Sequence, residues 1–229
     1  MTKSTNLKDE FVFRENQNGK LCFVGDFDGL YASNIDPWGQ SANTDIDYKK
    51  YYNFSRTRIV NSINNIENRK TVLEIGCGTG FVLDFLAGNL PNTEMSGMDI
   101  SEVAIERARN NFPEHNFIIC DIQSSEFSVN QKFDIVIFNQ ILWYILEDLN
   151  TALLNAHKLL NADGHFLISN AFLKDEQRFG SEIINGFNGC QEFIKIHQNQ
   201  FFSLIDSQFE QSGDFLFNDG LLTYQKLSA

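Results

Sequence analysis

The chain is short of positive charge, of clustered cysteine and of long apolar runs. Its 229 residues carry 18 Lys and Arg against 30 Asp and Glu, a formal net charge of −12 and a pI of about 4.7. So acidic a chain repels a phosphate backbone, which argues against nucleic-acid binding and against attachment to membranes through a basic patch. The four cysteines, Cys22, Cys77, Cys120 and Cys190, are scattered without any C-x-x-C spacing. A structural zinc site, an iron–sulfur cluster and a disulfide framework are therefore not expected, and reduced thiols fit a cytoplasmic protein. No uninterrupted apolar run approaches the roughly 20 residues of a spanning helix, and the opening MTKSTNLKDE carries acids where a signal peptide needs an apolar core. A soluble chain of this length suits one α/β domain.

What is present is apolar and aromatic: 42% of residues are hydrophobic and 22 are Phe. That composition is ample for a packed interior. Residues 16–20 read as a turn between two short apolar runs, and Asp36-Pro37-Trp38-Gly39 as punctuation holding an aromatic. Tyr48, Tyr51, Tyr52, Ile59, Ile63 and Ile66 recur near helical spacing, which predicts a helix over 47–65. From Thr71 onward short apolar runs alternate with helical patterns. Strands are expected at 71–75, 94–98, 116–120, 133–138 and 165–169, and helices at 81–87, 101–110, 146–160 and 199–211, with 162–164 as a helix exit. Two last apolar runs flank Asn218-Asp219-Gly220, a hairpin signal.

The expected fold is thus α/β: a Rossmann-like, doubly wound, mostly parallel seven-stranded sheet with a carboxy-terminal antiparallel hairpin and an amino-terminal helical cap. Within a single domain spanning 1–229, the cap and first helix fill 1–66 and the core 71–169. An aromatic insertion at the acceptor site follows at 170–198, and a last helix and hairpin at 199–229.

The sharpest local signal is Glu74-Ile75-Gly76-Cys77-Gly78-Thr79-Gly80, a buried strand entering a glycine loop before a helix. Such a loop lets a ligand approach the backbone and meet N–H groups at a helix start. A dinucleotide cradle wants glycine where Phe81 stands, and Glu74 is unwelcome beside a pyrophosphate but suits a cationic amine. Asp99 ends the second expected strand, about as far on as the acid that reads a ribose in dinucleotide folds. Taken alone, Asp99 would serve equally well as a cap for the helix near Ser101.

The E-x-G-x-G-x-G run resembles motif I of class I S-adenosylmethionine-dependent methyltransferases, and 133–140 resembles motif IV. The resemblance covers 71–169. It implies S-adenosylmethionine as cofactor, S-adenosylhomocysteine as product, Asp99 on the ribose hydroxyls and Asp121 on the adenine amino group, flanked by Ile100 and Ile122. It implies further contacts from Gly76, Cys77, Gly78 and Gly80, and from Asn139 and Gln140 near the methionine end. Upstream, Leu30-Tyr31 and Asp36-Pro37-Trp38-Gly39 are similar to the entry segment of nodulation protein S type N-methyltransferases, although the spacing over 41–48 is looser. Tyr31 and Trp38 would then close over a sulfonium cation. Tyr52 and Arg56 share a helical face, and Arg56 is preferred over Arg58, expected to be solvated, for the methionine carboxylate.

Catalytic candidates are few: His197 in the insertion, Tyr144 and Gln140. His115, His157 and His165 are expected to be structural, as are Asp134 and Cys77. Asp121, Asn139 and Asn170 fall short of a magnesium site, so no metal is expected. The expected acceptor is a small polar molecule methylated on nitrogen or oxygen, a sugar or sugar derivative among them, although Phe-rich walls also admit an aromatic metabolite. The rival readings are a nicotinamide-dependent oxidoreductase and a non-catalytic cofactor-binding module. A nucleic-acid methyltransferase is disfavoured by charge and by Asn139-Gln140-Ile141-Leu142 in place of an N-P-P-Y-type motif. A monomer or homodimer is expected.

Overall fold

The structure, a computed structural model, describes residues 8–41, 46–67 and 69–227. The opening seven residues, and the 42–45 part of the loosened spacing, lie outside the described residues. A short helix α1 (Lys8–Phe11) leads into the hairpin β1 (Phe13–Glu15) and β2 (Leu21–Phe23), with the expected turn closed by Gly19 N donating to Asn16 O at 2.9 Å. Helix α2 (Phe27–Ser33) starts at Asp26, whose side chain accepts from Gly29 N. It docks on α5 (Glu102–Asn111), where Asp28 Oδ1 accepts from Ser101 Oγ at 2.7 Å and from Val103 N at 3.2 Å. The amino-terminal cap is therefore pinned to the helix start beside Asp99.

The main sheet takes β3 (Thr71–Ile75), β4 (Glu94–Asp99), β5 (Asn116–Ile119), β6 (Phe133–Asn139), β7 (Leu160–Phe172), β8 (Phe202–Glu210) and β9 (Asn218–Lys226) in the order β5-β4-β3-β6-β7-β9-β8. Five strands run parallel, and β9 is antiparallel to both β7 and β8. Helices cover both faces, which is why the central strands read as unbroken apolar runs rather than alternating ones. Val72, Ile135, Ile137 and Leu167 pack with α3 (Ile46–Asn64), α4 (Phe81–Asn89) and α5. Leu73, Val136, Phe138 and Phe166 face the other way, toward α6 (Leu149–Leu159) and α7 (Gly186–His197). The strand order reverses between β3 and β6, and in an open α/β sheet the carboxyl ends at such a point frame a crevice.

Three expectations need correction at the carboxy-terminal side. Residues 199–211 hold no long helix: β8 occupies 202–210, and the helix lies earlier, as α7, inside the expected insertion. Phe202, Ile205 and Phe209 have helix-like spacing, but pairing with β9 decides the conformation. Asn218-Asp219-Gly220 is not a turn; it opens β9, and the hairpin turns over 211–217. Finally, 162–164 is no helix exit, since α6 ends at Leu159 and β7 begins at Leu160, with Asp163 at φ 60° beside a bulge opposite Phe133 and Ile135.

Candidate active site

The glycine loop joins β3 to α4. Gly76 (φ 76°) and Gly78 (φ 53°) take left-handed backbone that side chains resist. Space forbids side chains too: a Cβ at Gly76 would overlap Ile141 Cγ2, and one at Gly78 would lie 2.5 Å from Tyr31 Oη. The loop is held from the next strand, Gly76 N donating to Met98 O at 2.7 Å and Cys77 N at 3.0 Å. Gly80 caps α4, and the buried Cys77 fills space against Gly97, as expected of a structural residue.

Asp99 ends β4 with one oxygen on each neighbour: Oδ2 accepts from Gly78 N at 2.8 Å and Oδ1 from Ser101 N at 2.9 Å. Burial pushes its carboxyl above the usual range, and those backbone donors pull it back. It does not cap α5; Ser101 does, accepting from Ala104 N at 3.1 Å. Asp121, just past β5, accepts from Gln123 N at 2.8 Å. Asp99, Ile100, Asp121 and Ile122 all line one cavity of about 510 Å³, together with Gly76, Asn139 and Gln140.

Glu74 and Arg56 stand behind that wall. Asn139 Nδ2 donates to Glu74 Oε1 at 2.8 Å, and the guanidinium of Arg56 lies 5.3 Å from the Tyr52 ring, with Nη2 donating to Gln40 O at 3.1 Å. Burial pushes the Glu74 carboxyl up to about 7, against the Asn139 hydrogen bond and the Arg56 charge; burial also lowers the Arg56 pKa. Glu74 Oε2 and Arg56 Nε are both buried with no hydrogen-bond partner. Two opposite charges, each with an unused valence, are costly to bury unless a ligand completes them.

The opposite wall is aromatic. Trp38 Nε1 donates to Tyr31 Oη at 3.0 Å, Tyr52 Oη to Trp38 O at 2.8 Å, and Trp38 meets Tyr144 at 5.5 Å. Phe13 of the hairpin packs on Phe179 at 4.9 Å and Tyr144 at 6.0 Å, so the cap roofs the cavity over. Gln140 sits at φ 60° after β6; its Oε1 accepts from Ala171 N at 2.8 Å and its Nε2 donates to Tyr51 Oη at 3.2 Å.

Some candidates stand elsewhere. His197 ends α7, exposed, its ring tilted 40° against Phe193 at 4.5 Å, shortly before β8 begins at the sheet edge beyond β9; it does not line the cavity. Arg58 is not solvated. Only 12% exposed, it is ion-paired with Asp219, which also accepts from Tyr51 Oη at 3.0 Å. Asp219 and Tyr51 meet across 168 positions of sequence, a pairing that no local pattern signals. Asp134 is structural, accepting from Lys70 N, Thr71 N and Asn161 Nδ2. Among the described residues, Asp84, Glu114 and His115 bring ligand atoms within 4.8 Å of one another, away from the cavity wall. No helix among them is long and apolar enough to cross a membrane.

A seven-stranded sheet with an antiparallel β9, a glycine loop after its first parallel strand and acids at the ends of β4 and β5 defines the Rossmann-like fold of class I methyltransferases. A family model described as a methyltransferase domain matches residues 66–211, and the chain belongs to that family. Over 99 residues it is 32% identical to a malonyl-[acyl-carrier protein] O-methyltransferase of Acetivibrio thermocellus, covering 43% of this chain and 34% of that protein. The chain thus spans about a third of that relative's length. The N-methyltransferase NodS of Bradyrhizobium japonicum WM9, solved with S-adenosyl-L-homocysteine, superposes with TM-score 0.61 at 19% identity, covering 88% of this chain and all of that one. Magnesium protoporphyrin IX methyltransferase of Synechocystis PCC 6803, solved with bound SAM, gives 0.62 at 17%, covering 87% and 95%. At these identities the likeness to both structures is one of fold.

Proposed function

We propose that this chain transfers a methyl group from S-adenosylmethionine to a nitrogen or oxygen of a small molecule held in the roofed cavity. The observation that carries this reading is Asp99, set on the cavity wall by the amide of the glycine loop itself. An adenosyl ligand along β3, β4 and β5 would meet bare backbone at Gly76, a carboxylate for ribose hydroxyls at Asp99 and a second acid at Asp121. Behind its other end, the unsatisfied Glu74 Oε2 and Arg56 Nε would suit an ammonium and a carboxylate once a side-chain movement of the wall exposes them.

When bound, the sulfonium supplies an electrophilic methyl carbon. The protein's share is alignment and dryness, and orientation alone is worth about 7–11 kcal/mol in well-aligned reactions. Trp38, Tyr31 and Tyr144 exclude water from above, and their faces tolerate a cation. No histidine lines the cavity, so an acceptor that reacts as a neutral amine or a readily ionised hydroxyl suits it best. Gln140 and Tyr144 remain the positioning candidates, while His197 stands too far from the cavity for that role.

Titration calorimetry with S-adenosylhomocysteine and with NAD tests the cofactor. Binding of the first and not the second is expected; binding of NAD alone would favour the oxidoreductase. Turnover with a mixed pool of acceptors separates an enzyme from a binding module.

A further inference from the structure

Resting on that reading, we propose that the acceptor is an uncharged, flat aromatic molecule bearing a hydroxyl or amino group, stacked under the hairpin roof. Electrostatics argue first. Among the described residues, the charged ones on the cavity wall are Asp99, Asp121 and Arg178. The two acids belong to the glycine-loop end, and Arg178, at the roof, is paired with Glu15 at 2.5 Å. Among the described residues, the acceptor half thus offers no unpaired charge to a phosphate, a carboxylate or an ammonium group, whose desolvation would go uncompensated.

Hydrogen bonding narrows the class further. A polyhydroxylated ring needs many free donors and acceptors, yet the polar tips of the walls are turned into the protein. Trp143 Nε1 donates to Ala171 O at 3.0 Å, and Tyr51 is committed to Asp219. Gln177 Nε2 donates to Phe179 O and Ile184 O, and its Oε1 accepts from Gly186 N. What these residues present to the cavity is ring face and aliphatic edge. Phe13, Phe23 and Phe179 meet one another at 4.9 to 6.3 Å, tilted by 38° to 59°. Rings held at such angles receive another ring edge-on or offset. Tyr48 and Tyr144 keep hydroxyls with no hydrogen-bond partner among the described residues, and Tyr144 stands where Phe13, Phe27 and Trp38 converge. Its hydroxyl is the handle for the acceptor's single heteroatom.

Calorimetry on the intact chain, with and without saturating S-adenosylhomocysteine, would compare 2-naphthol, glucosamine and phenyl phosphate. The expected result is 2-naphthol bound at least about tenfold tighter than the other two. Phe13→Ala and Phe179→Ala, both at half-buried positions, should each weaken it roughly fivefold while leaving S-adenosylhomocysteine binding unchanged. Glucosamine or phenyl phosphate binding as tightly, no binding of 2-naphthol, or binding indifferent to both substitutions would overturn the proposal. Failure of S-adenosylhomocysteine to bind would instead end the cofactor reading, and the probe ranking on the protein alone would still decide the acceptor class.

Discussion

Asn139 at the end of β6 donates its side-chain amide to Glu74 near the end of β3, at 2.8 Å. That bond ties together the two strands between which the sheet order reverses, and it leaves one carboxylate oxygen of Glu74 unsatisfied. A buried acid in that state makes the protein's stability depend on pH.

The Glu74 carboxyl is raised from an ordinary 4.5 to about 7, so the folded state holds the proton more tightly than the unfolded one. Stability from this group is therefore full below the ordinary value and declines as pH rises toward 7. Glu74→Gln, which can still accept from Asn139, should flatten that decline. At pH 8 the melting temperature of the ligand-free variant should exceed wild type by about 3 °C or more. Near pH 4 the two should coincide; scanning calorimetry at both values checks it.

Arg56→Met removes the cation proposed to meet the cofactor's carboxylate. Affinity for S-adenosylhomocysteine should drop by about tenfold or more, the loss of one hydrogen bond to a charged group. Adenosine, which lacks the amino-acid end, should bind both forms equally. Parallel titrations with the two ligands make the comparison, and equal losses for both would show that the substitution disturbs the fold rather than this contact.

Gly78→Ala places a Cβ 2.5 Å from Tyr31 Oη at a left-handed position. The strain should cost about 1–3 kcal/mol in urea denaturation. Adding Tyr31→Phe removes the clashing oxygen and should restore part of the loss, although the Trp38 hydrogen bond goes with it. Non-additivity of the two substitutions is the diagnostic.

Asp219 is 1% exposed and paired with Arg58. Asp219→Ala leaves that guanidinium buried and uncompensated, an expected loss of about 3–5 kcal/mol. Removing both charges, Arg58→Met with Asp219→Leu, should cost less than the single change. Equilibrium denaturation of the three proteins would settle the order.

The glycine loop, the acids at 74, 99 and 121 and the parallel alternation were legible because each is a local pattern: a strand, a turn that needs positive φ, a capped helix. Ser101 at its helix start follows from the same short-range chemistry, whereas Asp134 draws its partners from Lys70, Thr71 and Asn161, far off in sequence. Arg58 was misread because its partner lies 161 residues away, and its neighbours in sequence say nothing of Asp219. The β8 segment was misread because Phe202, Ile205 and Phe209 satisfy a helical period as well as a strand. His197 looked available among phenylalanines, yet α7 carries it away from the strand ends.

Sequence by itself determined the sheet's central strands and the acid-framed loop, since backbone freedom and apolar periodicity act over a few neighbouring residues. Only the tertiary structure decided which polar groups are spent on the protein and which remain open to a ligand. Burial and long-range pairing set that balance, and they joined Tyr51 to Asp219 and turned the aromatic tips of the roof inward.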